Sequence, residues 1–407
     1  MTLTKGVSLK EIKAAEQRIR SDIYFSPCQH SAELSAMTGQ QVYLKLDNLQ
    51  RTGAFKERGA LNKILTLTDD EKLRGVIAAS AGNHGQAVAY HATKRGISAQ
   101  IVMPLMTPLV KTSATRGFGA KVILHGANYD EAYAEALRIC AEEGLTFLHP
   151  FDDVAVINGQ GTIGLELLQQ VPELEAVVVP IGGGGLISGV ACAIKETNSN
   201  IRVIGVQTER LPSMIRASEH GEPVTVPADA TIADGIAVRR AGELTLPLVE
   251  RFVDEMVMVD EEEIANAILV LLEQEKTLAE GAGAVALAAL LQKKTSLGDE
   301  RTAVLVCGGN IDVSLLAKII ERGLIKDGRR VRIRVRLADR PGALHQLTRI
   351  LQDQQANIVE TEHNRSYYGV NLGETAIDIT LETRGPAHIT AILHALEAAN
   401  YRHEHIQ

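Results

Sequence analysis

The sequence predicts an α/β protein whose mainly parallel sheets are covered on both faces, followed by a smaller domain of helices and antiparallel strands. Short apolar runs rich in β-branched residues alternate with segments of helical periodicity up to about residue 325. The runs are apolar at successive positions, as in strands that are buried on both sides. Beyond residue 330 the pattern changes to apolar–polar alternation, which is typical of a half-buried sheet.

Seven runs predict the strands of the first part. In chain order they are QVYLKLD from Gln41, GVIAAS from Gly75, AQIVMP from Ala99, AKVILHG from Ala120, AVVVPIG from Ala176, IRVIGVQ from Ile201 and TAVLVCGG from Thr302. Periodic apolar residues predict helices over 84–95, 129–142, 262–276 and 313–325. Functional loops are expected where the strands end, because the carboxyl ends of parallel strands meet at one edge of a sheet.

The polar stretch over 326–330 predicts a domain boundary. After it we expect a strand over 331–337, a helix over 343–355, strands over 357–365 and 374–383, a helix over 387–399 and a closing segment over 401–406. This βαββαβ order predicts a ferredoxin-like domain. One face of its first strand carries Arg332, Arg334 and Arg336, which we interpret as a solvated or paired face rather than an RNA-binding one.

The composition favours a small, polar ligand. The 407 residues have a formal net charge of −8, so no general positive field attracts nucleic acid. Aromatic residues make up 3% of the chain, which leaves few stacking platforms for bases. The four cysteines are far apart without metal-binding spacing, and no apolar stretch approaches the ~20 residues that cross a bilayer. We therefore expect a cytoplasmic protein with no metal, membrane or nucleic-acid partner.

The segment GQGTIG, which starts at Gly159, matches the dinucleotide-binding pattern GxGxxG and stands before a helix predicted over 165–170. Such a site needs a strong strand before the glycines and an acidic residue at the end of the next strand. Neither is present, since FDDVAVIN is a poor strand and the next strand ends in VPIG. We interpret these glycines as positions of close helix packing and not as an NAD site.

A row of four glycines stands between a buried strand and an apolar helix; its members are Gly182, Gly183, Gly184 and Gly185. Without Cβ atoms, the backbone can turn its N–H groups onto an anion at the positive end of that helix. A flexible spacer is the alternative, but a spacer is not expected between two buried elements. No Gly-Lys-Ser/Thr follows, so the row is not a nucleoside-triphosphate P-loop.

Three further positions have both a structural and a functional interpretation. The segment SAGNHG from Ser80 either caps the helix predicted to open at Gln86 or binds a carboxylate through Ser80, Asn83 and free N–H groups. Lys56, between a strand and a helix, is either a solvated side chain or a catalytic amine. Cys307, at the end of TAVLV, is by itself a buried cysteine before a turn.

Taken together, four ordered motifs resemble one known family. AFKERGA around Lys56, SAGNHGQ around Asn83, PIGGGGL around Gly183 and CGGNID around Cys307 resemble the serine/threonine dehydratases, pyridoxal-phosphate enzymes of the tryptophan-synthase-β fold type (fold type II). DRPGAL, from Asp339, is similar to a motif of ACT regulatory domains. The resemblance implies a two-subdomain catalytic domain over 1–325, its smaller subdomain at roughly 48–155, a linker over 326–330 and an ACT domain over 331–407.

The resemblance also implies the role of each motif. Lys56 would form a Schiff base with pyridoxal 5′-phosphate and remove the Cα proton of the substrate. Asn83 would bond the 3-oxygen of the cofactor ring, and Ser80 with the backbone of Asn83 and His84 would hold the substrate carboxylate. The cofactor phosphate would rest on Gly182, Gly183, Gly184 and Gly185.

Cys307 would face the nitrogen of the cofactor ring, where a neutral thiol cannot keep that nitrogen protonated and so favours elimination over transamination. Two departures separate the chain from serine racemases of the same group. Ala81 stands where they carry the hydroxyl that reprotonates the opposite face of the substrate, and Gln207 where their divalent-metal site begins with an acidic residue.

We therefore expect an ammonia-lyase that makes 2-oxobutanoate from L-threonine, with L-serine as a poorer substrate. The alternatives are a serine or threo-3-hydroxyaspartate ammonia-lyase of the same fold, and a non-catalytic amino-acid sensor. The ACT domain would sense a small effector, an amino acid in a biosynthetic enzyme or a nucleotide in a catabolic one. The expected contacts are Gly342, Ala343, Leu344, Asn357 and Ile358, and the family implies a homo-oligomer, either a dimer or a tetramer.

Overall fold

The computed structural model of the chain describes residues 6–364 and 371–406. Its contacts divide the chain into two compact units, Met1–Asp312 and Val313–Gln407. The helix predicted over 313–325 therefore falls within the second unit. The placement of a linker at 326–330 stays a prediction.

The strands of the first unit include all seven that were predicted. They are β1 Cys28–Ser31, β2 Gln41–Leu46, β3 Val76–Ala79, β4 Ala99–Met103, β5 Lys121–Leu124, β6 Thr146–Phe147, β7 Ala176–Pro180, β8 Arg202–Thr208, β9 Glu255–Val259 and β10 Arg301–Val306. Strands β1, β6 and β9 were not predicted.

The helices of the first unit cover both faces of its sheets. They are α1 Leu9–Ile19, α2 Ala32–Thr38, α3 Lys56–Leu65, α4 Asp69–Arg74, α5 Asn83–Thr93, α6 Leu109–Gly117, α7 Tyr129–Glu143, α8 Val154–Gln170, α9 Gly185–Lys195, α10 Ser213–His220, α11 Thr245–Phe252, α12 Glu261–Glu273 and α13 Gly281–Leu291. Two short 3₁₀ helices span Asp47–Leu49 and Asp234–Ile236. Among the described residues, none of the helices is long and apolar enough to span a bilayer.

Two sheets organise the first unit. The larger has six strands in the order β1-β2-β10-β7-β8-β9, and the smaller has four in the order β5-β4-β3-β6. Every neighbouring pair is parallel except β1 with β2. The smaller sheet is therefore inserted in the chain between β2 and β7. Since β2, β10 and β7 are neighbours, the segments that follow Leu46, Val306 and Pro180 leave the same edge of the large sheet.

Helix α8 corrects one expectation. The sequence predicted a helix only from Leu165, but α8 begins at Val154 and runs through GQGTIG. The glycines were rightly interpreted as close packing: a Cβ on Gly159 would lie 2.6 Å from the carbonyl oxygen of Arg58, and one on Gly161 would lie 2.9 Å from that of Gly189. Helix α8 can therefore approach α3 and α9 closely only because these residues lack side chains.

The second unit has the predicted βαββαβ order after an initial helix. Its elements are α14 Val313–Lys326, β11 Arg330–Ala338, α15 Ala343–Asp353, β12 Asn357–Asn364, β13 Glu374–Glu382, α16 Pro386–Ala398 and β14 Arg402–Ile406. The antiparallel sheet has the order β12-β13-β11-β14. The predicted end of the third element, Arg365, lies outside the described residues. On the sheet face opposite the apolar core, Arg334 Nε lies 2.6 Å from Asp378 Oδ1.

Candidate active site

Lys56 is the first residue of α3 and is partly buried. Its Nζ donates to the carbonyl oxygen of Pro150 at 2.8 Å and lies 5.1 Å from the centroid of the Phe55 ring. Burial lowers the pKa of Lys56 to about 8, against the opposing influence of Cys307 and Glu280. About a tenth of this amine is therefore unprotonated at pH 7, and the unprotonated form is the one that acts as nucleophile or base.

The turn before Lys56 is fixed to the end of strand β10. The N–H of Phe55 donates to the carbonyl oxygen of Cys307 at 2.9 Å, and the N–H of Gly309 donates to that of Gly53 at 2.9 Å. Gly53 has a φ of +78°, a conformation that favours glycine. These bonds bring together the AFKERGA and CGGNID motifs, which lie about 250 positions apart in the chain.

The four glycines form the turn from β7 into α9. Gly184 has a φ of +97°, and the helix begins without a side-chain cap. A Cβ on Gly183 would lie 2.4 Å from the ring of Phe151, and one on Gly185 would lie 2.6 Å from the Phe151 carbonyl oxygen. A Cβ on Gly183, Gly184 or Gly185 would collide with its surroundings, so the backbone N–H groups at the start of α9 carry no side chain of their own. This is the backbone geometry that a phosphate group requires.

Asn83 is the first residue of α5, which the sequence predicted to begin between His84 and Gln86. Its Nδ2 donates to Glu280 Oε1 at 2.7 Å, and its Oδ1 accepts from Asn310 Nδ2 at 2.8 Å. Asn310 Nδ2 also donates to the carbonyl oxygen of Thr52 at 2.7 Å. A network of side chains from three distant segments therefore fixes the Asn83 amide and the turn that precedes Lys56.

Glu280 was missed in the sequence analysis. It stands before the apolar helix α13 and is 4% exposed. Burial raises the pKa of Glu280 to about 7, and the negative charge of Asp234 adds to the rise. The only signal in the sequence is a single acidic residue just before the apolar run GAGAVALAALL. A carboxyl group that is partly protonated at neutral pH lies beside a strongly perturbed lysine, as in many functional sites.

Ser80 and His84 lie on either side of the start of α5. Ser80 Oγ accepts from the N–H of Gly82 at 3.2 Å, and the helix has no side-chain cap at its N-cap residue. His84 Nε2 lies 2.9 Å from the carbonyl oxygen of Leu148, and burial lowers the pKa of His84 to about 3. His84 is therefore neutral, and the uncapped helix start offers N–H groups for a carboxylate.

Cys307 is 2% exposed, and its Sγ lies 3.4 Å from the carbonyl oxygen of Ala282. Burial, together with the charge of Glu280, raises the pKa of Cys307 well above its usual value. The thiol is therefore protonated at neutral pH and acts as a weak neutral hydrogen-bonding group.

Two ion pairs join the part of the chain that carries the small sheet to the part that carries the large one. Lys111 Nζ on α6 lies 2.5 Å from Asp234 Oδ2, and Arg239 Nη1 lies 2.8 Å from Asp130 Oδ2 on α7. Asp234 also raises the pKa of the buried Glu280, so this ion pair influences the protonation of a carboxyl group inside the site.

Gln207 has protein partners at both ends of its amide. Its Oε1 accepts from the N–H groups of Met214 and Ile215 at 3.0 Å each, and its Nε2 lies 3.5 Å from the carbonyl oxygens of Ile181 and Leu211. In the part of the chain that the structure describes, no group of three or more His, Cys, Asp or Glu residues is arranged to hold a metal ion.

In the second unit, the structure separates the expected effector contacts into two groups. Gly342 precedes α15, and Ala343 and Leu344 are its first residues, whereas Asn357 and Ile358 begin β12. The nine residues of α15 that follow Leu344, 345–353, correspond to about 14 Å of helix. Asn357 and Ile358 line an open cavity of about 410 Å³ together with Thr348, Leu351, Gln352, Gln355 and Ala356.

Comparisons with known proteins find a matching family for each of the two parts of the chain. A family model described as "Pyridoxal-phosphate dependent enzyme" matches residues 19–308, and the model of the ACT domain matches residues 331–398. An L-threonine ammonia-lyase from Thermotoga maritima is 50% identical over 395 residues, which cover 97% of this chain and 98% of that protein. One from Geobacter sulfurreducens is 46% identical over 390 residues, covering 96% and 97%. The structure of maize serine racemase matches with a TM-score of 0.74 and 36% identity, covering 79% of this chain and 99% of that one.

Proposed function

Because the chain belongs to the family of pyridoxal-phosphate dependent enzymes and carries an ACT domain, we propose that it deaminates L-threonine to 2-oxobutanoate and ammonia, and L-serine to pyruvate and ammonia. Water is eliminated from the substrate and then consumed when the resulting enamine hydrolyses, so each amino acid yields one oxo acid and one ammonia. The observation that carries the proposal is the partly buried Lys56 amine, with its pKa lowered to about 8.

The residues present fit the cofactor, which supplies an aldehyde that joins an amine and a ring that accepts negative charge. Lys56 is the amine that would hold it. The phosphate group of the cofactor would suit the start of α9, since the glycine turn admits no Cβ there. Asn83, fixed by Glu280 and Asn310, would orient the ring through its 3-oxygen.

During turnover, Lys56 Nζ takes the proton from the substrate Cα. Its depressed pKa supports this role, because an amine titrating near the working pH can both accept and return a proton. The Ser80 hydroxyl and the uncapped start of α5 bind the substrate carboxylate and so orient the Cα–H bond. The protonated Cys307 thiol would face the ring nitrogen and is too weak an acid to protonate it, which would favour elimination over transamination.

The same features bear on the alternatives. Racemisation needs a second acid on the opposite face of the substrate, and Ala81 has no group that can act as one. A vestigial sensor has no need of a buried lysine with a lowered pKa together with a glycine turn that suits an anion. Serine and threo-3-hydroxyaspartate remain the competing substrates.

The regulatory part of the proposal rests on the ACT domain. We infer a homo-oligomer, a dimer or a tetramer, in which the Gly342, Ala343 and Leu344 turn of one copy faces Asn357 and Ile358 of another and binds a small effector. The separation of these groups along α15 supports a site shared by two copies. An amino acid such as isoleucine or valine would suit isoleucine biosynthesis, and a nucleotide would suit threonine catabolism. A cytoplasmic location accords with four unpaired cysteines.

Initial rates on L-threonine, L-serine and threo-3-hydroxyaspartate test the proposal, with the oxo acids measured as hydrazones. We expect the highest kcat/KM with threonine. The Lys56→Ala variant should show no deamination above background while retaining the wild-type circular dichroism spectrum. A clear preference for the dicarboxylate, or activity that survives in Lys56→Ala, would contradict it.

A further inference from the structure

Glu57 and His91 form a buried pair that the proposed mechanism does not use. Glu57 directly follows Lys56 on α3, and its Oε2 lies 3.1 Å from Nε2 of His91 on α5. The side chains are 1% and 0% exposed. Because Nε2 faces a carboxylate oxygen, the hydrogen of the imidazole is assigned to that nitrogen.

The second carboxylate oxygen of Glu57 bonds the turn that leads to Lys56. The backbone N–H of Thr52 donates to Glu57 Oε1. On its other side, the Thr52 carbonyl oxygen accepts from Asn310 Nδ2 at 2.7 Å. The backbone of Thr52 is thus held at both its N–H and its C=O group, four residues before the reacting amine.

The pair also joins two helices that begin at the site. Helix α3 begins with Lys56 and α5 begins with Asn83, and His91 lies about two turns along α5. A displacement of Glu57 would therefore change the position of Lys56 both through its own helix and through the Thr52 turn.

Stability alone is a poor reason for this arrangement. Burying a carboxylate and an imidazole has a desolvation cost, and an apolar pair of similar volume is often as stable or more so. In the described part of the chain, the buried Nδ1 of His91 also has no hydrogen-bond partner, which is a further cost. What the pair supplies, and an apolar pair cannot, is a directed bond from α5 through Glu57 to the Thr52 N–H.

We propose that Glu57 and His91 are positioning residues, which fix the turn over 52–55 and thereby the direction in which the Lys56 side chain enters the site. The proposal rests on the proposed function only in taking Lys56 as the reacting amine. Neither residue contacts the substrate in this account, and both act through the backbone of Thr52.

Three variants of the full-length enzyme test the proposal: Glu57→Gln, Glu57→Leu and the double variant Glu57→Leu/His91→Leu. Both leucine variants should lose roughly ten- to a hundredfold in kcat, with KM for threonine changed by less than about threefold. Glu57→Gln should stay within about threefold of the wild-type kcat, because its amide oxygen still accepts from Thr52 and its NH2 group can donate to His91 Nε2 once the imidazole hydrogen lies on Nδ1. The Tm of the double variant should equal or exceed that of the wild type, while its kcat should remain as low as that of Glu57→Leu. Glu142→Gln on the exposed face of α7 is the matched control.

Hydrogen exchange of the Thr52 amide, measured by mass spectrometry, separates this proposal from the proposed function. Exchange should accelerate in both leucine variants and not in Glu57→Gln, whether or not the wild-type protein deaminates threonine. Unchanged exchange in the leucine variants, or a double variant that regains wild-type kcat together with stability, would overturn the positioning role. If the wild type does not deaminate threonine but exchange is accelerated in the leucine variants, the proposed function is rejected and the positioning role is not.

Discussion

Replacing Glu280 by glutamine should change how the stability of the protein depends on pH. Burial, with a contribution from Asp234, raises the pKa of Glu280 from its ordinary 4.5 to about 7. The folded protein therefore keeps a proton that the unfolded chain releases above pH 4.5. The corresponding stability is fully present below pH 4.5 and is lost as the pH rises through about 7.

The size of the effect follows from the two pKa values of Glu280. Raising a carboxyl pKa from 4.5 to about 7 corresponds to about 3 kcal/mol between its two protonation states. Glutamine resembles the protonated acid in shape and does not titrate, so the free energy of unfolding of the variant lacks the fall with pH that Glu280 causes in the wild type. For a domain of this size, 1 kcal/mol of unfolding free energy corresponds to roughly 2 °C in Tm. The Tm of the variant minus that of the wild type should therefore be roughly 5 °C larger at pH 8 than at pH 5.

Thermal unfolding followed by circular dichroism measures this difference. Wild type, Glu280→Gln and the exposed control Glu142→Gln are compared at pH 5, 6, 7 and 8, with the cofactor in excess and after its removal. All other titrating groups are shared, so the difference in Tm isolates Glu280. A difference in Tm between wild type and Glu280→Gln that stays constant from pH 5 to pH 8 would show that Glu280 does not titrate in this range and would contradict the raised pKa.

Three further predictions follow from the site. Gly183→Ala should weaken cofactor binding at least tenfold in fluorescence titration, because the added Cβ would lie 2.4 Å from the Phe151 ring; unchanged affinity would count against the phosphate site. The rate at which cofactor-free protein takes up pyridoxal phosphate should rise with pH and level off above about 8, as Lys56 loses its proton, and a rate that still rises about tenfold per pH unit at pH 9 would contradict the lowered pKa. Dialysis against a chelator should leave Tm within about 1 °C, because both ends of the Gln207 amide already have protein partners; a larger fall would reveal a structural cation.

The strands were predictable wherever burial on both faces left an unbroken apolar run. AVVVP and RTAVLV are examples, and both lie inside the large sheet. Strand β1 was missed because it is the antiparallel edge strand CQHS, whose polar side chains reflect exposure. The start of α8 was missed because three glycines argue against a helix by propensity, whereas close packing against α3 and α9 decides in its favour.

The positions of the motifs that we propose to carry chemistry were also predictable, since each stands near the end of a strand. Lys56 and Asn83 are both first residues of helices in the structure. The groups that hold them were not predictable. Glu280 lies 197 positions from Asn83, and His91 lies 34 from Glu57, so only the folded chain shows which side chains they meet.

We propose that the cofactor is attached to the Lys56 amine. Borohydride reduction of the enzyme with bound pyridoxal phosphate, followed by proteolysis and mass spectrometry, identifies the lysine to which it is attached. We expect one modified peptide, which contains Lys56 and carries the added mass of the reduced cofactor. A label on any other lysine, or none on an active enzyme, would contradict it.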